Sequence, residues 1–176
     1  PLRLVGSEMC IRDRAWLDEH QPHDVGNCLI HNDFRFDNLV LAHDDPTRVI
    51  GVLDWEMATL GDPLMDLGGA LAYWVQADDD RIMRGSRRQP THAPGMLTRD
   101  EVWQYYAHAS GRAISPKDQL FYEIFGLFRL AVIAQQIYYR YANGQTSNPA
   151  FKQFRGLVIY LEWRCRRLMR RAGRLS

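Results

Sequence analysis

Cysteine is scarce in this sequence of 176 residues. Cys10, Cys28 and Cys165 are too few and too scattered for a disulfide framework or a zinc site, which fits a reducing, cytoplasmic setting. Long hydrophobic runs are missing as well. The most apolar window, residues 124–133, carries Arg129 and falls short of the ~18 uncharged residues of a membrane helix, so no membrane span is expected. The first residues lack the basic-then-apolar order of a secretory signal. With 46% apolar and 24% charged residues the chain is not disordered; it has material for one core and too little for two ordinary domains.

Lysine is absent from residues 15–80, where two Arg face 14 Asp and Glu, a balance of −12. Residues 81–176 carry 17 Lys and Arg against 5 Asp and Glu, a balance of +12; the first 14 residues supply the remaining +1 of the net charge. An acidic stretch suits metal or Mg-phosphate chemistry, and a basic one suits phosphates; equally, the two halves can neutralise each other across a fold.

Residues 4–14, Leu-Val-Gly-Ser-Glu-Met-Cys-Ile-Arg-Asp-Arg, resemble one reading frame of a transposon-end adapter used in DNA sequencing libraries. Residues 1–14 are therefore expected to be a non-native leader, set aside from fold reasoning, with residues 15–176 as part of a longer protein.

Residues 15–20 read as the end of a helix stopped by Pro22. Cys28 to Ile30 is a short buried strand, and residues 31–38 are a loop. Residues 39–41 and 48–53 form a hairpin turning at Asp44-Asp45-Pro46-Thr47. Asp62 and Pro63 open a helix that places Leu64, Leu67, Leu71 and Trp74 on one face. Residues 77–95 are loop-like. Thr98 and Glu101 form a capping box for a helix to about Ser110. Ser115-Pro116 opens a long helix ended by Gly144, with Phe121, Phe125, Phe128 and Tyr139 as its core stripe. Asn148-Pro149 opens a last helix ended by Gly173.

Two segments carry chemistry. His31-Asn-Asp33-Phe-Arg35-Phe-Asp-Asn38 fits H-x-D-x-x-x-x-N, the catalytic-loop pattern of kinase-like enzymes. Such a spaced triple arises by chance in roughly one chain in a hundred of this length, so alone it is weak. Val52-Leu-Asp54-Trp55-Glu56 adds a second Asp, 16 positions after Asn38, and leads into Gly61-Asp62-Pro63-Leu-Met-Asp66.

The run from Leu29 to Trp74 resembles the aminoglycoside phosphotransferase and choline-kinase-like family, and within it the branch found as the kinase-like domain of certain acyl-CoA dehydrogenases. The resemblance implies an α+β, mainly helical fold: the C-terminal lobe of a protein-kinase-like fold. A strand-rich N-terminal lobe of about a hundred residues, with the phosphate-covering loop, its Lys and its Glu partner, is expected to be missing.

The resemblance also implies roles. Asp33 is the base for an acceptor hydroxyl, and Arg35 offsets charge on the transferred phosphoryl group. Asn38 and Asp54 bind Mg²⁺ and, through it, the phosphates of ATP. His31 is a loop-shaping side chain. Asp66 braces the catalytic loop from the following helix, or is a carboxylate favoured by that helix's dipole. Asp37 bonds locally, while Trp55 and Glu56 pack around Asp54. Asn32 stands where the family usually has Gly, and Asn tolerates the left-handed conformation.

The parent is then an ATP- and Mg-dependent kinase acting on a small hydroxylated acceptor, a hydroxyacyl-CoA being one candidate, and it is fused or coupled to an acyl-CoA dehydrogenase. The fragment itself is expected to be inactive. Rival readings are a metal-dependent phosphohydrolase using Asp33, Asp54 and His31, and a catalytically silent binding module. His20, His23, His43, His92 and His108 lack paired ligand spacing. The basic run Arg164, Arg166, Arg167, Arg170, Arg171 and Arg174 reads as a solvated face rather than a nucleic-acid site.

Overall fold

The computed structural model describes residues 7–173 as two compact units. The first consists of three helices: α1 (Ser7–His20), α5 (Pro116–Ala142) and α6 (Phe154–Ala172). The second, His23–Ile114, holds four short strands, β1 (Cys28–Ile30), β2 (Leu39–Leu41), β3 (Val49–Val52) and β4 (Thr59–Gly61). It also holds helices α2 (Pro63–Ala72), α3 (Arg81–Gly85) and α4 (Arg99–Ser110).

In the three-helix unit, Ser115 caps α5 by accepting from the Asp118 amide, and Pro116 occupies the first helical position. By length and composition α5 could cross a membrane, contrary to the expectation drawn from its ten-residue window. Here its apolar face packs instead against α1 and α6 through Leu120, Phe121, Tyr122, Ile124, Leu127, Ala131 and Ala134. The expected aromatic stripe is only partly in this core: Phe121 is buried, Phe125 and Phe128 are half-buried, and Tyr139 is exposed. Aromatic spacing alone pointed along the helix, whereas the close contact with α6 selects the face carrying Ile124, Leu127 and Ala131. The Asn148-Pro149 start opens a 3-10 turn, Pro149–Gln153, and α6 begins only at Phe154.

The second unit holds two antiparallel two-stranded ribbons, the hairpin β2 with β3 and the longer-range pair β1 with β4. The strand at Thr59–Gly61 was not expected, and neither was its register, Cys28 opposite Gly61 and Ile30 opposite Thr59. Of β1 only Ile30 is buried, while Cys28 and Leu29, on opposite faces of the ribbon, are both exposed. Gly61 has a steric reason to be glycine: a Cβ there would come within 2.8 Å of Ile30 Cδ1. Asp62 caps α2 by accepting from the Leu64 amide at 2.7 Å, and its second oxygen accepts from Val25 at 2.8 Å. The helix ends at Ala72, so Trp74 lies beyond it; Leu64 and Leu71 are buried and Leu67 half-buried.

The loop expected over residues 77–95 contains the short helix α3, capped by the Asp80 carboxylate on the amides of Ile82 and Met83. The Asp-rich run supplied a cap that a tally of charges does not distinguish from solvated surface. The capping box of α4 forms, with Thr98 and Glu101 bonding reciprocally, and Gly111 closes the helix in the left-handed conformation.

Candidate active site

The β2–β3 hairpin sets the geometry. Leu39 pairs with Val52, and the ladder continues outward through Leu53 N–H donating to Asn38 O at 2.8 Å. Asn38 and Asp54 thus flank the same end of one hairpin. Asp54 opens a 3-10 turn, Trp55–Met57, and takes a left-handed backbone, φ 67° and ψ 50°. Asp is among the few residues that visit this region readily. Nothing in its sequence neighbourhood signalled that conformation.

Residues 31–38 lead into this hairpin and are tied down at several points. The Asp66 carboxylate, on the first turn of α2, accepts from the His31 amide at 2.6 Å and the Asn32 amide at 2.8 Å. Asn32 takes φ 65°, the left-handed conformation, and its Nδ2 donates to Met57 O at 3.0 Å, a tie that glycine could not make.

The His31 ring is buried, with Nε2 at 2.7 Å from Leu53 O and Nδ1 accepting from the Asp33 amide at 3.2 Å. A carbonyl on one side and an N–H on the other assign the neutral tautomer with the proton on Nε2. Both ring nitrogens are therefore spent on backbone, and neither is open to a metal. The ring also packs beside Trp55 at 4.7 Å, and the Trp55 indole donates to Val52 O. Glu56 is exposed.

Asp33 sits between two donors. Its Oδ2 accepts from Arg35 Nη2 and from Asn38 Nδ2, each at 3.3 Å. Asn38 Nδ2 also donates to Asp33 O at 2.8 Å, which assigns the amide orientation and makes Oδ1 the atom it could offer to a cation. Asn38 is buried and Asp33 about three-quarters covered. Arg35 lies over the Tyr73 ring at 5.2 Å and reaches Asp37 at 3.8 Å. Asp37 is thereby an ion-pair partner of Arg35 as well as a turn residue.

The structure thus brings His31, Asp33, Arg35, Asn38 and Asp66 into one hydrogen-bonded network, with Asp54 beside it across the hairpin. Its donor set, one neutral amide oxygen and one exposed carboxylate, fits Mg²⁺, which takes few protein ligands and completes its shell with water and phosphate oxygens. Among the described residues no three His, Cys, Asp or Glu side chains converge as a metal cage. Sequence reasoning missed Met57 and Gln89. Gln89 accepts from the Phe36 amide at 2.8 Å, across 53 residues and from a stretch without periodicity.

The model for the phosphotransferase enzyme family matches residues 10–102. Among curated relatives, mouse acyl-CoA dehydrogenase family member 10 is 39% identical over 140 residues, covering 78% of this chain and 13% of that protein. Human acyl-CoA dehydrogenase family member 11 is 36% identical over 146 residues, covering 81% of this chain and 18% of that protein. The chain spans less than a fifth of the length of either relative. A crystal structure described as an aminoglycoside phosphotransferase, from Ralstonia eutropha JMP134, superposes with a TM-score of 0.71 at 30% identity. That match covers 90% of this chain and 48% of the solved one.

Proposed function

The chain belongs to the phosphotransferase enzyme family, and from that premise we propose that it is part of a kinase that moves the γ-phosphoryl group of ATP to an acceptor hydroxyl. The observation that carries the reading is the convergence of Asp33, Arg35 and Asn38 in one network, with Asp54 at the same hairpin end. Phosphoryl transfer asks a protein chiefly for alignment and charge neutralisation. Asp33 orients the acceptor hydroxyl and takes its proton. Arg35, held in place by Tyr73 and the two aspartates, offsets charge on the transferred group. Asn38 Oδ1 and the Asp54 carboxylate would hold Mg²⁺, which when bound neutralises phosphate charge. The phosphohydrolase alternative needs His31 as a ligand, a role for which its ring has no free nitrogen.

The relatives' names favour an acceptor carried on coenzyme A, such as a hydroxyacyl-CoA, and a parent fused or coupled to an acyl-CoA dehydrogenase; the scarcity of cysteine favours a cytoplasmic setting. On this reading residues 15–176 are the C-terminal lobe, and residues 1–14 are the adapter-derived leader.

Alone, the chain is expected to give no turnover with ATP, Mg²⁺ and a hydroxyacyl-CoA, because the nucleotide-covering elements lie outside it. A longer protein that restores them is expected to transfer phosphate, and Asp33→Asn in that protein to slow it by about 10²-fold or more. Transfer by the chain alone, or full activity of the Asp33→Asn protein, contradicts the proposal.

A further inference from the structure

The 3-10 turn Phe36–Asn38 joins the Asp33–Arg35 segment to Asn38, and its first amide has no partner within the turn. Arg35, which precedes it, has extended backbone (φ −148°, ψ 162°) and makes no side-chain cap. A buried amide left in that state would cost as much as a lost hydrogen bond. Instead Phe36 N–H donates to Gln89 Oε1 at 2.8 Å, and Gln89 is only 5% exposed. The Phe36 ring also meets Trp74 edge-on at 5.4 Å.

Gln89 is held by an organised excursion of the chain rather than a slack loop. Two residues on, the Thr91 hydroxyl donates to Val75 O at 2.8 Å in a buried position. The ends of the excursion are clasped by Arg99, whose guanidinium donates to both Asp79 oxygens at 2.7 and 2.8 Å and to Trp74 O at 2.7 Å. The Trp74 indole closes the other side by donating to Leu97 O.

We propose that Gln89 is a positioning residue of the phosphotransfer site. It supplies from residues 77–98 the cap that Arg35 does not, and so sets where Asn38 stands relative to Asp33. The roles of Asp33 and Asn38 rest on the reading given under Proposed function; the tie itself does not.

The test compares Gln89→Met, which keeps size but loses the acceptor, with Gln89→Glu, which keeps an oxygen. Residue-resolved amide exchange and binding of Mn²⁺, standing in for Mg²⁺, are read on the whole chain. In Gln89→Met the Phe36 amide is expected to exchange about ten-fold faster and Mn²⁺ to bind about three- to ten-fold more weakly, the scale of one lost hydrogen bond. Gln89→Glu is expected to keep both near wild type. Unchanged Phe36 exchange in a folded Gln89→Met chain overturns the tie, and unchanged Mn²⁺ affinity overturns its role in placing Asn38. If Gln89→Met does not fold, Gln89→Glu decides: a charge-assisted bond moves the Phe36 amide proton downfield, and loss of its protection refutes the proposal. A wild-type chain that binds no Mn²⁺ refutes the metal assignment of Asn38 and Asp54, and the exchange comparison then judges Gln89 by itself.

Discussion

Replacing Asp66 by alanine strands two amides at once, those of His31 and Asn32, which its carboxylate accepts at 2.6 and 2.8 Å. Hydrogen bonds to a charged acceptor contribute about 1.5–3 kcal/mol each. His31 is buried, so water cannot replace that bond; Asn32 is half-buried and recovers part of its loss. The expected destabilisation of the second unit is therefore about 2–4 kcal/mol. Asp66→Asn keeps one acceptor but turns its amide group toward the other N–H, giving an intermediate loss of about 1–3 kcal/mol. In urea, with a slope of about 2 kcal/mol/M, Asp66→Ala moves the midpoint down by about 1–2 M. Amide exchange at His31 and Asn32 should accelerate ahead of that at Leu64, whose amide is capped by Asp62. An Asp66→Ala midpoint within about 0.2 M of wild type, with His31 still protected, refutes the bracing argument.

Asn32→Gly is expected to stay within about 1 kcal/mol of wild type, since glycine accepts φ 65° and only the bond to Met57 is lost; Asn32→Val should cost about 2–3 kcal/mol, as thermal melts would register. Burial first, then Asp13, push the Cys165 thiol far above its ordinary range, so iodoacetamide at pH 8 should alkylate exposed Cys28 and spare Cys165 until the chain unfolds, as peptide mapping would show. Burial first and Asp13 second also hold the Glu162 carboxyl above its usual range, so the folded chain holds this proton more tightly than the unfolded chain does. Stability from this group falls as pH rises through the unfolded carboxylate range and beyond, and Glu162→Gln should melt higher than wild type at pH 7 with a smaller gap at pH 4. Equal melting temperatures at pH 7 would contradict that sign.

Local chemistry was legible wherever one short stretch of residues decides the outcome. The Thr98–Glu101 capping box, the Asp62-Pro63 and Ser115-Pro116 helix starts and the turn between β2 and β3 each depend on neighbours within a few positions, and each forms. Asp33 and Asn38 stand out by their H-x-D-x-x-x-x-N spacing taken together with Asp54, because the proposed catalytic loop must deliver a carboxylate and an amide oxygen from one turn. Strand β4 and Gln89 were not legible. Thr59–Gly61 becomes a strand only through pairing with β1, and Gln89 matters only because the chain returns to Phe36 after 53 residues. The exposure of Cys28 and Leu29 in β1 and the choice of α5 face likewise follow from which neighbours the strand and helix meet.

By itself, the sequence determined which residues are candidates for the chemistry and where α2, α4 and α5 start, since capping, turn formation and motif spacing are short-range properties. Only the tertiary structure decided how those residues are held. The backbone amides of the loop find acceptors on α2 and on the 77–98 excursion, and the His31 ring finds its carbonyl on the far side of the hairpin. Such partners satisfy buried polar groups across long separations, and no local pattern encodes where a returning chain will place them.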